Sequence, residues 1–174
     1  MKRIWGVVAA VLVSVSLTVV GLSVTGDDDP AVATEGKRHF KAKLMGYEEV
    51  PAVSSPGSGR FEAKLDANET TLSYELAYAD LQGTASAAHI HLGQKGVAGG
   101  VSAFLCGGGG KPACPTTTGT VGGTITAANI IGPTGQGISA GEFGELIEAM
   151  RAGVTYANVH SSTQPGGEIR GQIK

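Results

Sequence analysis

Apolar side chains in this chain recur at every second position over short runs, a period that suits strands and cannot form the stripe of a helix. Phe40, Ala42 and Leu44 alternate with Lys41 and Lys43; Phe61, Ala63 and Leu65 with Glu62 and Lys64; Leu72, Tyr74, Leu76 and Tyr78 with Ser73, Glu75 and Ala77. Each run has one face to bury and one to wet. Between them fall turn signals, such as Pro51, Pro56 and Gly57, so the second and third runs read as an antiparallel hairpin. Further strands are expected at Ser86 to Leu92, Val101 to Leu105, Thr118 to Thr126, Tyr156 to His160 and Glu168 to Ile173, the last two paired around Ser161 to Gly167. About eight short strands predict an all-β fold, an antiparallel Greek-key sandwich or barrel. The 28 glycines agree with many turns. One helix is expected, from Ser139 to Arg151: Ser139-x-x-Glu142 matches a capping box, Phe143, Leu146, Ile147 and Met150 form an apolar stripe, and Gly153 is placed to end it.

The N-terminus carries a different signal. Met1-Lys2-Arg3 is a short basic start, followed by an apolar run from Ile4 to Val24 and then Asp27-Asp28-Asp29-Pro30, which reads as an export leader over residues 1–26. The run is also long enough to remain as a membrane anchor, and no cysteine follows it to carry a lipid. Residues 27–37 read as a linker and 38–174 as the folded domain, in the periplasm or outside the cell. There disulfides persist, and Cys106 and Cys114, the two cysteines of the chain, are separated by a flexible Gly-rich spacer. A bridge closing that loop contributes about 2.5 kcal/mol in the chain-entropy model. A redox pair would be spaced Cys-x-x-Cys, and this one is not. The net charge of −2, with no basic patch, argues against nucleic acid as a partner. Without a Gly-x-Ser-x-Gly elbow or a Walker-type loop, hydrolase and nucleotide-binding readings have no support.

Histidine placement carries the chemistry. In the run Ala88-His89-Ile90-His91-Leu92, strand alternation sends His89 and His91 to one face, about 7 Å apart at Cβ. His160 ends a second strand-like run, and three imidazoles together would hold Cu²⁺ or Zn²⁺. Asn158 shares the face of His160 and is a candidate to orient a ring from behind. His39, before the first strand, is a possible fourth ligand. The competing reading makes His89 and His91 solvent-facing polar residues with His160 hydrogen-bonded in the hairpin. Glu48 and Glu49 read as a solvated pair rather than as ligands. Glu168 and Arg170 share a strand face and read as an ion pair or a hydrogen-bond clamp on a neighbouring loop.

Several motifs in order resemble one family. Phe40 to Leu44 with Gly46-x-Glu48-Glu49-Val50-Pro51, Ala87-Ala88-His89-Ile90-His91-x-Gly93, Gly153-x-x-Tyr156-x-Asn158-Val159-His160 and Gly167-Glu168-Ile169-Arg170-Gly171-Gln172 together resemble the CHRD domain, first described in chordin and found in many bacterial exported proteins. The resemblance spans Phe40 to Ile173 and implies an exported β-domain. A looser resemblance is to the copper-zinc superoxide dismutase sandwich, whose copper site takes a His-x-His pair from one strand and a later His from another. It implies copper-ligand roles for His89, His91 and His160. The chain departs from that pattern: it shows no bridging histidine, no zinc cluster of further histidines with an aspartate, and no arginine evidently beside a copper channel. Three readings stand at this point: a module binding copper (or zinc), a dismutase-like copper enzyme, and an extracellular adhesion module with its own protein partner. Membrane contact is expected only through an uncleaved leader.

Overall fold

The computed structural model describes residues 36–174. The expected leader and most of the linker lie outside the described residues. Within them the chain forms eight strands: β1 (His39–Met45), β2 (Ser58–Leu65), β3 (Leu72–Ala79), β4 (Ala85–Leu92), β5 (Val101–Cys106), β6 (Gly119–Ile125), β7 (Thr155–Ser161) and β8 (Ile169–Gln172), with one α-helix, α1 (Phe143–Arg151), between β6 and β7. All pairings are antiparallel, in the order β5-β4-β7-β8-β1-β2-β3-β6. The terminal strands β5 and β6 approach each other, so the sheet nearly closes on itself. Tyr74 of β3 ties the two halves by donating its hydroxyl to the Leu105 carbonyl of β5 at 2.6 Å.

Alternation in the sequence becomes alternation in burial. Phe40, Ala42 and Leu44 point inward from β1 while Lys41 and Lys43 stay in water, and β2 and β3 pair in the register that puts Phe61 opposite Leu76. Leu72, Leu76, Phe61, Ile90, Val159 and Ile169 are fully buried in one hydrophobic cluster. The helix is shorter than its capping pattern predicts. Gly141 takes a left-handed φ of 89°, so the chain from Ser139 to Glu142 turns instead of coiling, although Glu142 still accepts the Ser139 N–H at 2.6 Å. The stripe survives: Phe143, Leu146, Ile147 and Met150 are all buried in the core. Cys106 and Cys114 form the expected disulfide, their Cα atoms 5.1 Å apart. Among the described residues no helix is long and apolar enough to cross a membrane.

One region is not alternating. Strand β7 is buried at six of its seven positions, and β8 at its first three. An antiparallel strand with one wet face cannot show this pattern. The outward face of β4, β7 and β8 therefore carries a cover of its own, built from the loops that follow β1, β4 and β7.

Candidate metal centre

Three backbone pairings set the site. His89 lies opposite Asn158, His91 opposite Tyr156 and Ala87 opposite His160, so the three imidazoles stand on the covered outer face of adjacent strands, on the reverse side from Ala88, Ile90 and Val159 in the core. The β4–β5 ladder shifts register between Ala88 and His89 and again between Ile90 and His91. Such irregularities re-aim side chains at functional sites. Ring centroids lie 5.4 Å apart for His89–His91, 4.9 Å for His89–His160 and 6.0 Å for His91–His160. One nitrogen from each ring falls within 4.8 Å of the other two. A tetrahedral metal with bonds of about 2.0–2.1 Å holds its nitrogens about 3.3 Å apart, a spacing inside the 4.8 Å limit of this cluster.

The hydrogen bonds leave specific nitrogens free. His91 Nδ1 lies 2.9 Å from the Gly99 carbonyl and His160 Nδ1 lies 3.0 Å from the Pro165 carbonyl. A carbonyl only accepts, so both rings carry their proton on Nδ1 and present a bare Nε2 lone pair. Those two Nε2 atoms, and Nδ1 of His89, are buried without a hydrogen-bond partner. A buried polar atom left unpaired costs about 1–3 kcal/mol, and the cluster holds three of them, one on each ring. The rings are also kept neutral. Burial, followed by repulsion from His160 and His91, lowers the His89 pKa to about 3. Burial lowers His91 to about 4, with His160 and Arg170 acting in the same direction against the bond to Gly99. Burial lowers His160 as well.

The walls are aromatic. Phe104 meets the His89 ring edge-on at 4.4 Å, and Tyr156 stacks on His91 at 4.7 Å and 7°. The Arg170 guanidinium carbon lies 3.4 Å over the far face of Tyr156. Arg170 also donates to the Val97 carbonyl at 2.8 Å and the Gln94 carbonyl at 3.3 Å, pinning the loop after β4. That loop closes because residue 99 is glycine: a Cβ there would stand 1.6 Å from the Leu92 carbonyl oxygen.

Several expected roles change in this setting. Asn158 does share the face and is buried, but its amide donates to Glu49 Oε1 at 2.6 Å and to the Ile169 carbonyl at 2.9 Å. Backbone carbonyls, not Asn158, hold the His91 and His160 rings. Glu48 and Glu49 are not a solvated pair. Glu48 meets Lys95 at 3.1 Å near the surface, while Glu49 turns inward onto Asn158, and burial raises its pKa to about 7 against the pull of Asn158 and Arg170. Glu168 is the hydrogen-bond clamp, accepting from Ser55 Oγ and the Gln82 N–H, both at 2.6 Å, and from Ser161 Oγ. Burial would raise its pKa, but these bonds prevail and lower it. Arg170 reaches backbone carbonyls and Tyr156 instead of Glu168, because Glu168 lies before the first residue of β8 and its side chain is committed to the loops. His39 begins β1 and is exposed, outside the histidine cluster.

Residues 40–173 match the family model of the CHRD domain. The chain therefore belongs to the CHRD domain family. No curated protein and no solved structure matches it.

Proposed function

We propose that this domain acts outside the cytoplasm as a module that binds a single copper ion, with zinc the alternative, through His89, His91 and His160. The observation that carries the reading is the set of three buried imidazole nitrogens without hydrogen-bond partners, one per ring, in a cluster that brings a nitrogen of each ring within 4.8 Å of the others. Imidazole suits copper and zinc, and copper leads in the affinity order of divalent ions. The rings are neutral at neutral pH, so metal need not displace protons to enter. The bonds from Nδ1 of His91 and His160 to backbone carbonyls fix the tautomer and raise the basicity of the opposite nitrogen. His89 and His91 are only 8% and 7% exposed, which favours holding a metal over turning over substrate at it. Export is supported by the leader-like N-terminus and by the disulfide.

The test is competitive copper titration of single variants. His89→Ala, His91→Ala and His160→Ala should each weaken binding by well over about tenfold, since losing one of three nitrogens opens the chelate, while His39→Ala should leave it unchanged. Equal affinity across all four variants would refute the assignment.

A further inference from the structure

The donor set of the site is three neutral imidazoles. No carboxylate or thiolate belongs to the cluster, and the three nitrogens are neutral donors, so a bound ion keeps its full charge. Polar groups of the cover are already committed: Asn158 to Glu49 and the Ile169 carbonyl, and the Gly99 and Pro165 carbonyls to ring Nδ1 atoms. Two walls are aromatic, Phe104 and Tyr156. Behind Tyr156 the stack ends in a cation, since the Arg170 guanidinium lies 3.4 Å over that ring and is 3% exposed. Its hydrogen bonds run to two backbone carbonyls, which carry no charge, and the Glu49 carboxyl that also acts on it is bonded to Asn158 and pushed by burial to a pKa of about 7, so it offsets the guanidinium only in part.

Each feature weighs against a divalent ion more than a monovalent one. The charging cost of a buried ion grows with the square of its charge, so a dication costs about four times as much as a monocation in the same pocket. Repulsion from a fixed neighbouring cation grows in proportion to the charge. Coordination number points the same way. Zinc asks for a fourth ligand, whereas a trigonal set of three nitrogens is complete for copper(I).

We infer that the ion this site is built for is copper(I), held by His89, His91 and His160 alone, with Arg170 acting through the Tyr156 stack to disfavour the divalent state. The inference rests on the proposed metal site and narrows it to one oxidation state.

The full metal-free chain is titrated under nitrogen with the acetonitrile salt of copper(I) against bicinchoninate. It is titrated separately with Cu²⁺ against nitrilotriacetate and with Zn²⁺ against a chromophoric chelator. The expected result is one copper(I) per chain, bound at least about a hundredfold more tightly than either divalent ion. X-ray absorption on the loaded parent protein should show a three-coordinate copper(I) edge, a readout that needs no variant. Arg170→Gln, checked for native circular dichroism, should narrow the gap by tightening Cu²⁺. Divalent binding as tight as copper(I) would overturn the inference and leave the metal site standing. Failure to bind any of the three ions would overturn both.

Discussion

Acid should unfold the metal-free domain through its histidines. In an unfolded chain these rings take up protons near pH 6.5, whereas in the fold His89 resists until about pH 3 and His91 until about pH 4. Both pKa values are depressed, so the unfolded state holds more protons between those limits. The stability they contribute is complete above pH 6.5 and is lost as pH falls toward 4. Each ring adds a slope of about 1.4 kcal/mol per pH unit. Glu49 opposes them: raised from 4.5 to about 7, it stabilises the fold when protonated and loses that contribution as pH rises through the same range. Two rings less one carboxyl leave about 1.4 kcal/mol per pH unit between pH 6 and 5, with His160 adding to it. Below pH 4.5 the Glu49 offset disappears and the loss steepens. Urea denaturation of the metal-free protein at pH 7, 6 and 5 measures this, and the midpoint should drop by about 0.5–1 M for each unit below 6. The double variant His89→Gln/His91→Gln should flatten the dependence. A midpoint constant from pH 7 to 5 in the parent, or an equally steep fall in the double variant, would refute the reasoning.

Leu146→Ala removes a fully buried side chain of α1 and should cost about 2–5 kcal/mol by chemical denaturation; a neutral result would contradict the packing of the helix. Replacing Cys106 and Cys114 by Ser should cost about 2.5 kcal/mol through the freed unfolded chain, and mass spectrometry of the unreduced parent should find no free thiol. Gly99→Ala places a methyl group against the Leu92 carbonyl, which displaces the loop that holds His91. Copper affinity should fall by at least about tenfold, and an unchanged affinity would show that the Gly99 carbonyl does not position the ring.

Local rules made the inward faces legible. Alternation places Phe40, Phe61, Leu76 and Ile90 in the core, and the same period puts His89 and His91 together on the other face. The stripe of α1 was legible too, but its start was not, because the left-handed turn at Gly141 competes with the capping pattern at Ser139 and Glu142. What the sequence hides is the cover. Asn158 and Arg170 occupy outward strand positions where polar residues normally meet water, and only loops distant in sequence, reaching over from after β1 and β4, bury them. The inward turn of Glu49 follows from that cover, since its partner Asn158 is 109 positions away. The ring partners are backbone carbonyls of Gly99 and Pro165, which no residue type announces. A close approach at Gly99 was the available clue, and it is indistinguishable in sequence from the other glycines of the Gly93 to Gly100 turn.

The proposed site has three histidines from two strands holding one copper ion. Elemental analysis of the purified protein, loaded with excess copper and dialysed, tests it against the variant in which His89, His91 and His160 are all replaced by Ala. The expected result is one copper per chain in the parent and none in the variant, with both proteins folded by circular dichroism. Copper retained at the same stoichiometry by the folded triple variant would contradict it.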